Sequence, residues 1–367
     1  MTDAATGPTG ETVGIMDERV PILRFEHVAK CFHLSRARLT QPRPLLRAVD
    51  DVSLEIFAGD SFGLVGESGS GKSTLARVAV GLIEPTAGGV SINGTELWKS
   101  RGRERKRVRQ SVQMVFQDPY SSFAPHAAVG ESIAEPLIVH TTLGASERRE
   151  RVRAILELVG LASHFAGRLP YQLSGGQLQR AAIARALILD PAVLVLDEPV
   201  SALDVSTQAQ VINLLSDLRE RLDVTLFIIA HDLSVVRQAT NVVGVMYLGR
   251  VVEHGPAAAI YAAAAHPYTL ALLSAVPVPD PAVQRTRERI ILQGDIPSPL
   301  NPPSGCHFRT RCPYAMNICA ETKPEPFLTP AGVTVECHLH TSGPTLAGSP
   351  IRELGVPRST LLKTSSG

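Results

Sequence analysis

The chain has 367 residues, 44% of them hydrophobic and 19% charged, with 36 Lys and Arg against 35 Asp and Glu. Such a composition suits a folded protein with room for one large α/β domain and a smaller second one, and so even a charge balance gives no electrostatic footprint for nucleic acid. No apolar stretch approaches the roughly 18 residues of a membrane span; the most apolar window, 181–196, is interrupted by Arg185, Asp190 and Pro191. Residues 1–19 are polar and lack a basic segment followed by an apolar core, so they read as a disordered tail of a chain that stays in the cytoplasm. From Ile22 to Phe32, and again from Val52 to Ile56, apolar residues alternate with period two. These are expected strands, separated by a Pro- and Arg-rich loop from Ser35 to Pro44. Phe32 closes the first of them, either as a packed strand residue or as an aromatic that stacks on a purine.

Phe62, Leu64 and Val65 form a short apolar strand that runs straight into Gly66-Glu67-Ser68-Gly69-Ser70-Gly71-Lys72-Ser73, with Thr74 following. Every fixed position of a phosphate-binding loop is filled. Glycines let the backbone curl and aim its N–H groups inward at phosphate oxygens. Lys72 adds a positive charge, Ser73 offers a hydroxyl to Mg²⁺, and Leu75, Val78, Ala79 and Leu82 continue as a helix whose N-terminus faces the anion. Val90 to Ile92 then reads as a strand entering an Asn93-Gly94 turn, and the basic run from Arg101 to Arg109 as a solvated surface segment. Val112 to Phe116 is another short strand, ending at Gln117. Residues 118–190 look mainly helical, with Ser146 as an N-cap, Val152, Ile155, Leu156 and Val159 on one face, and Gly160 as the stop.

Leu173-Ser174-Gly175-Gly176-Gln177 leads directly into a helical run from Leu178 to Leu189. Alone it is an N-cap and a turn, or a second helix start able to hold an anion. The apolar strand Val193 to Leu196 ends in Asp197 and Glu198. Two carboxylates at the end of a buried strand fit Mg²⁺ coordination by the first and activation of a water by the second. A further strand, Val224 to Ile229, ends in Ala230-His231-Asp232, which puts His231 at the same end of a parallel sheet as the phosphate loop.

Taken together, Gly66 to Ser73, Gln117, Leu173 to Gln177, Val193 to Glu198, Ser201-Ala202-Leu203-Asp204 and His231 resemble, in order and spacing, the nucleotide-binding subunit of ABC transporters. The resemblance implies an α/β P-loop NTPase fold with a RecA-like core, an antiparallel β subdomain and a helical subdomain at about 118–190. It implies that Phe32 stacks on adenine, that Lys72 and Ser73 bind phosphates and Mg²⁺, and that Gln117 senses both. Ser174, Gly175 and Gly176 would grip the ATP of an opposite subunit. Asp197 would support Mg²⁺, Glu198 would polarise the water, His231 would hold the γ-phosphate, and Asp204 would communicate across the dimer. ATP would then join two such subunits head to tail, and the groove near Gln117 to Phe123 would receive the coupling helices of membrane subunits.

Gln117-Asp118-Pro119-Tyr120-Ser121-Ser122, His266-Pro267-Tyr268-Thr269 and the stretch from Gly294 to Cys306 are similar to the oligopeptide and dipeptide branch of ABC importers. Phe123-Ala124-Pro125-His126 departs from that branch, where Leu-Asn-Pro-Arg is common. The expected organisation is therefore an ATP-binding domain at 20–266, a small cysteine-rich C-terminal domain at 267–340 and a tail at 341–367. The expected partners are a second ATPase subunit, most simply a paralogue, two membrane permeases and an extracytoplasmic substrate-binding protein, with the chain on the cytoplasmic face of the membrane.

Of five cysteines, Cys31 stands alone as a strand residue expected to be buried, while Cys306, Cys312, Cys319 and Cys337 are separated by five, six and seventeen residues. Neither short spacing is that of a zinc knuckle or a bacterial ferredoxin. A soft four-thiolate set suits Zn²⁺ or an iron–sulfur cluster; the importer resemblance implies a 4Fe-4S cluster, stapling a segment with little apolar core of its own. Two other functions compete with peptide import. A soluble ABC ATPase acting on ribosomes or DNA would usually carry two nucleotide domains or a long coiled-coil insertion. A redox-responsive regulator would bind ATP without needing the intact Glu198 and His231.

Overall fold

The computed structural model describes residues 20–34, 43–276, 289–342, 346, 348–351 and 361–362. The expected tail at 1–19 and most of the loop from Ser35 to Pro44 lie outside them.

Two sheets and a helical layer make up the body. Strands β1 (Pro21–His33), β2 (Leu45–Phe57), β4 (Ala87–Ile92) and β5 (Thr95–Glu96) form an antiparallel sheet in the order β2-β1-β4-β5. The strand expected at Val52 to Ile56 is thus longer, because β2 continues its pairing with β1 from Leu45 through several register shifts. Asn93 and Gly94 both take positive φ, 49° and 73°, as a two-residue hairpin turn between right-twisting strands requires.

The second sheet has a parallel core of five strands, in the order β9 (Val242–Tyr247), β3 (Ser61–Val65), β8 (Thr225–Ala230), β7 (Val193–Asp197) and β6 (Val112–Val115). Every residue of β3, β7 and β8 is buried, which explains their continuous apolar character. Phe62 of β3 and Phe25 of β1 both contact the Phe227 ring of β8, at centroid distances of 5.8 and 6.0 Å, and so lock the two sheets together. On the other side, β6, β7 and β8 share a core with α3 (Val129–His140), α4 (Ala145–Leu158), α5 (Gly175–Leu187) and α6 (Val205–Leu222).

Several local expectations shift. Helix α1 (Lys72–Ala79) stops before Leu82, because Gly81 turns the chain with φ 74°, and Leu82 is left 57% exposed. The basic run is a helix, α2 (Gly102–Ser111), with Val108 as its buried residue. Helix α4 starts two residues earlier than a Ser146 cap allows: Gly144 is the cap, and it donates its N–H to the Glu147 carboxylate at 2.6 Å. Gly160 does end that region, with φ 73°. Cys31 is half-buried, not buried.

The C-terminal part is joined to the core. After α7 (Leu233–Ala239), β10 (Arg250–Pro256) pairs antiparallel with β9; beyond it come α8 (Ala257–Ala262), α9 (Pro267–Ala275) and β11 (Arg289–Ile290). Strands β12 (Pro326–Leu328) and β13 (Thr334–Glu336) then extend the sheet past β10, and β14 (Leu361–Leu362) pairs with β11. Phe308, Val335, Cys337 and Leu339 pack in one cluster with Val65 of β3 and Val245 of β9. The boundary expected at 266 is therefore bridged by strand pairing and by a shared core. Part of the expected tail is packed as well, since Ile351 is fully buried and its N–H reaches the Ala264 carbonyl at 3.2 Å.

Candidate functional site

Parallel strands present their carboxyl ends along one edge, and β3, β7, β8 and β6 deliver Gly66, Glu198, His231 and Gln117 there in consecutive turns. Gly66 follows β3 so tightly that a Cβ on it would stand 2.1 Å from the Met246 carbonyl oxygen, and one on Gly71 would meet the Ala48 carbonyl at 2.1 Å. Only glycine fits either place. Lys72, 4% exposed, folds its ammonium back onto the loop and donates to Gly66 O at 2.8 Å, Glu67 O at 3.0 Å and Ser70 Oγ at 3.3 Å. Burial pulls its pKa below the usual lysine value, against the opposing charges of Glu198, Asp197 and Glu67.

Ser73 Oγ donates to Asp197 Oδ1 at 2.8 Å, joining the loop to the end of β7. Asp197 is 2% exposed, and burial raises its pKa although the Ser73 hydrogen bond works the other way. A buried carboxylate beside a hydroxyl is a hard oxygen pair of the kind that Mg²⁺ takes. Glu198 has φ 49°, a left-handed backbone unusual for a non-glycine residue, held by its N–H to the Ile229 carbonyl at 2.9 Å. That twist turns its carboxylate away from Asp197's and towards Gln117, whose Nε2 donates to it at 2.8 Å, and towards His231, whose Nδ1 lies 3.7 Å away. Ser73 with Asp197, and Gln117 with Glu198 and His231, are thus brought together, as the strand ends require.

The remaining sequence-nominated residues lie elsewhere. Ser174 caps α5 and accepts the Gln177 N–H at 3.3 Å while Gln177 Oε1 accepts the Ser174 N–H at 2.9 Å. Among the described residues no hydrogen bond or ion pair links 174–177 to 66–74; Gly175 and Gly176 pack against Leu203 and Thr207 instead. Asp204 caps α6, and three bonds from Ser206 and Thr207 hold its pKa well below the usual carboxylate range. Phe32 is half-buried near the end of β1, with Lys30 Nζ 5.1 Å from its ring centroid. Ser68 and Gly69 are exposed at the tip of the loop.

The four C-terminal cysteines are free thiols. Burial pushes Cys306 up to about 11 and Cys312 up to about 12, and raises Cys337 further. Among the described residues no three His, Cys, Asp or Glu side chains are gathered closely enough to hold a metal ion, so the arrangement gives the expected cluster or zinc site no support. Sequence reasoning missed Arg311, whose guanidinium grips both carboxylate oxygens of Glu67 in the phosphate loop, at 2.7 and 3.1 Å. It also missed the Tyr268 hydroxyl, which accepts the Glu67 N–H at 2.9 Å. Neither leaves a local pattern, although Tyr268 lies within the noted His266 to Thr269 run.

A cavity of about 690 Å³ opens at the junction of the sheet with the helical layer, lined among others by Leu82, Arg105, Arg109, Phe116, Val139 and Arg185. No described helix is long and apolar enough to cross a membrane.

This sheet, loop and strand-end constellation define an ABC-type P-loop ATPase. Residues 49–201 match the ABC transporter family, and residues 252–319 match the oligopeptide/dipeptide transporter C-terminal region. The chain is 46% identical over 328 residues to the "Putative oligopeptide transport ATP-binding protein YkfD" of Bacillus subtilis, covering 89% of this chain and 98% of that one. It is 50% identical over 285 residues to the "Oligopeptide transport ATP-binding protein OppF" of Escherichia coli, covering 77% and 85%. A solved ATP-binding cassette, MJ0796, a dimer in a post-hydrolysis state bound to ADP and Pi, superposes with a TM-score of 0.57 at 30% identity, covering 64% of this chain and 98% of that one. The chain belongs to the ABC transporter family, in its oligopeptide/dipeptide ATP-binding branch.

Proposed function

We propose that this chain is the ATP-hydrolysing subunit of a peptide importer, working on the cytoplasmic face of the membrane with a second ATPase subunit and membrane permeases. The observation that carries the reading is the meeting of Ser73 with Asp197 and of Gln117 with Glu198 and His231 at one edge of the parallel sheet, beside a complete phosphate loop. Relatives named for oligopeptide transport match 89% and 77% of the chain and suggest the substrate class.

In this reading the loop's N–H groups and Lys72 take the phosphates of ATP, and Lys72 exchanges its carbonyl partners for phosphate oxygens. Ser73 and Asp197 would hold Mg²⁺, whose charge would offset that of the phosphates. Glu198 accepts a proton from the attacking water, Gln117 and His231 orient that carboxylate, and His231 contacts the γ-phosphate. Phe32 stacks on adenine. Ser174, Gly175, Gly176 and Gln177 share no hydrogen bond or ion pair with the chain's own loop among the described residues, which favours their serving the ATP of a partner subunit, with Asp204 nearby at the start of α6. A monomer would then be nearly inactive, and the partner assigned is a paralogue, as this importer branch commonly pairs two different ATPases. The cavity between sheet and helices, rimmed by the exposed apolar residues Leu82, Phe116 and Val139, suits a docking helix of a permease. A substrate-binding protein outside the membrane completes the importer.

The four cysteines are assigned to a 4Fe-4S cluster rather than Zn²⁺. The support is chemical: four soft sulfur donors in one region, with Cys306 and Cys312 each close enough to Cys319, and Cys337 to the other three, to be affected by their charge. A cubane accepts ligands at separate corners, so its cysteines need not converge on one point. The cluster's part is structural, within the region 267–340. Iron and sulfide analysis of anaerobically purified protein tests this; zinc or no metal refutes it.

Glu198→Gln tests the catalytic reading. The amide keeps the shape and the contact with Gln117 but takes no proton, so steady-state hydrolysis in the assembled transporter should fall by about 10²–10⁴-fold while ATP binding persists. An unchanged rate would refute Glu198 as the base.

A further inference from the structure

We infer that Arg311 is a positioning residue of the nucleotide site: it neutralises and clamps Glu67 so that the phosphate loop can receive a polyanion. This rests on the reading of Gly66 to Ser73 as an ATP site. Within a loop built to bind phosphates, a carboxylate at the second position opposes the ligand by charge, and Glu67 is that residue. Its polar groups are all engaged. The carboxylate receives two N–H bonds from Arg311, at 2.7 and 3.1 Å; the backbone N–H goes to Tyr268 Oη at 2.9 Å; the carbonyl accepts from Lys72 Nζ at 3.0 Å. When Lys72 turns to phosphate, the Arg311 and Tyr268 contacts remain to hold the first turn of the loop.

The clamp is shielded and stiff. The side chains of Arg311 and Glu67 are only 8% and 25% exposed, so the paired charges are screened less than a surface pair would be. A bidentate guanidinium–carboxylate contact also fixes orientation, which a lysine in the same place would not do. Arg311 is held in turn by its N–H to the Phe308 carbonyl at 3.0 Å and lies with its guanidinium 5.9 Å from the Tyr247 ring centroid. Tyr247 packs edge-on against both Tyr268 and Phe308, at 4.8 and 5.2 Å, and all three rings are at most 1% exposed. A second set of ion pairs, Asp50 to Arg250 at 3.3 Å and to Lys323 at 3.1 Å, ties the same C-terminal region to β2. The C-terminal region is thereby part of the wall behind the phosphates.

The test is Mg²⁺–ATP binding by the full-length chain, measured by titration calorimetry for wild type, Arg311→Ala, Arg311→Lys, Glu67→Gln and the Arg311→Ala/Glu67→Gln pair. Arg311→Ala should bind on the order of tenfold more weakly, because it leaves a carboxylate unpaired beside the phosphates. The defect should shrink as salt is raised, and in the assembled transporter it should raise KM while kcat stays within about twofold. Adding Glu67→Gln to Arg311→Ala should recover most of the lost affinity, because it removes the unpaired charge. A merely structural tether predicts the opposite, no rescue, since either substitution breaks the same contact. Wild-type affinity in Arg311→Ala, or a double variant as weak as the single one, overturns the inference; should Arg311→Ala not fold, Arg311→Lys is expected to bind more weakly than wild type and equal affinity overturns it. Failure of wild type itself to bind ATP would instead overturn the nucleotide-site reading and this inference with it.

Discussion

Glu253, on β10, gives a pH-dependence that can be worked from the structure. Its carboxylate is fully buried and accepts the N–H groups of Ala265 at 2.7 Å and His266 at 3.0 Å, at the turn that launches α9 and places Tyr268 behind the phosphate loop. Burial lifts its pKa from the ordinary 4.5 to about 7, although those hydrogen bonds oppose the shift. Below pH 4.5 the group is protonated in both states. Between 4.5 and about 7 the unfolded chain loses the proton and the folded one keeps it, so stability falls as pH rises, by about 3 kcal/mol across the window, and is level above it. Two histidines, half-buried His254 and buried His266, act in the opposite sense: desolvation lowers His254 to about 4 and His266 to about 3, so each adds stability as pH climbs towards 6.5. Wild type alone therefore shows only a net slope. The difference between wild type and Glu253→Gln isolates the titration of the carboxyl: the amide does not titrate, and its single oxygen can accept only one of the two N–H groups, which adds a loss that does not vary with pH. Urea unfolding followed by the fluorescence of Trp98, the only tryptophan, at steps from pH 4.5 to 8 should show the stability difference moving in the variant's favour as pH rises to 7 and then staying level. A difference constant across that range would refute the reasoning.

Gly66→Ala should abolish ATP binding, since its Cβ would stand 2.1 Å from the Met246 carbonyl; binding at wild-type strength in the same calorimetric assay would show that β3 and β9 can part there. Leu82→Asp should leave stability within about 0.5 kcal/mol, the side chain being 57% exposed, yet reduce co-purification with the permeases by charging the cavity wall. Undiminished recovery of the permeases from detergent-solubilised membranes would remove that cavity as the docking surface.

Much of the site was legible in the chain because its parts are local. A phosphate loop needs its glycines, lysine and serine within eight consecutive residues, and those residues announce themselves. Asp197 and Glu198 stand out because two carboxylates directly after four buried apolar residues conflict with burial unless something recruits them. Helix ends were less legible. Leu82 continues the apolar period of α1, but Gly81 breaks the helix, and the position of the first N–H acceptor, not the nearest serine, decided where α4 begins.

The linear order of residues determined which chemistry each strand end carries, because periods of 2 and 3.6 sort buried from exposed faces and turn motifs need only neighbours. Tertiary structure alone decided which of those groups meet. Ser73 reaches Asp197 across 124 positions, Gln117 reaches Glu198 across 81, and Arg311 reaches Glu67 across 244. It also decided that β12 and β13 complete the core sheet, as β10 offered an edge whose backbone groups needed partners. Periodicity carries no information about such pairs, since a guanidinium and a carboxylate recognise each other by distance and desolvation, and both are settled only when the sheet has brought the ends of the chain together.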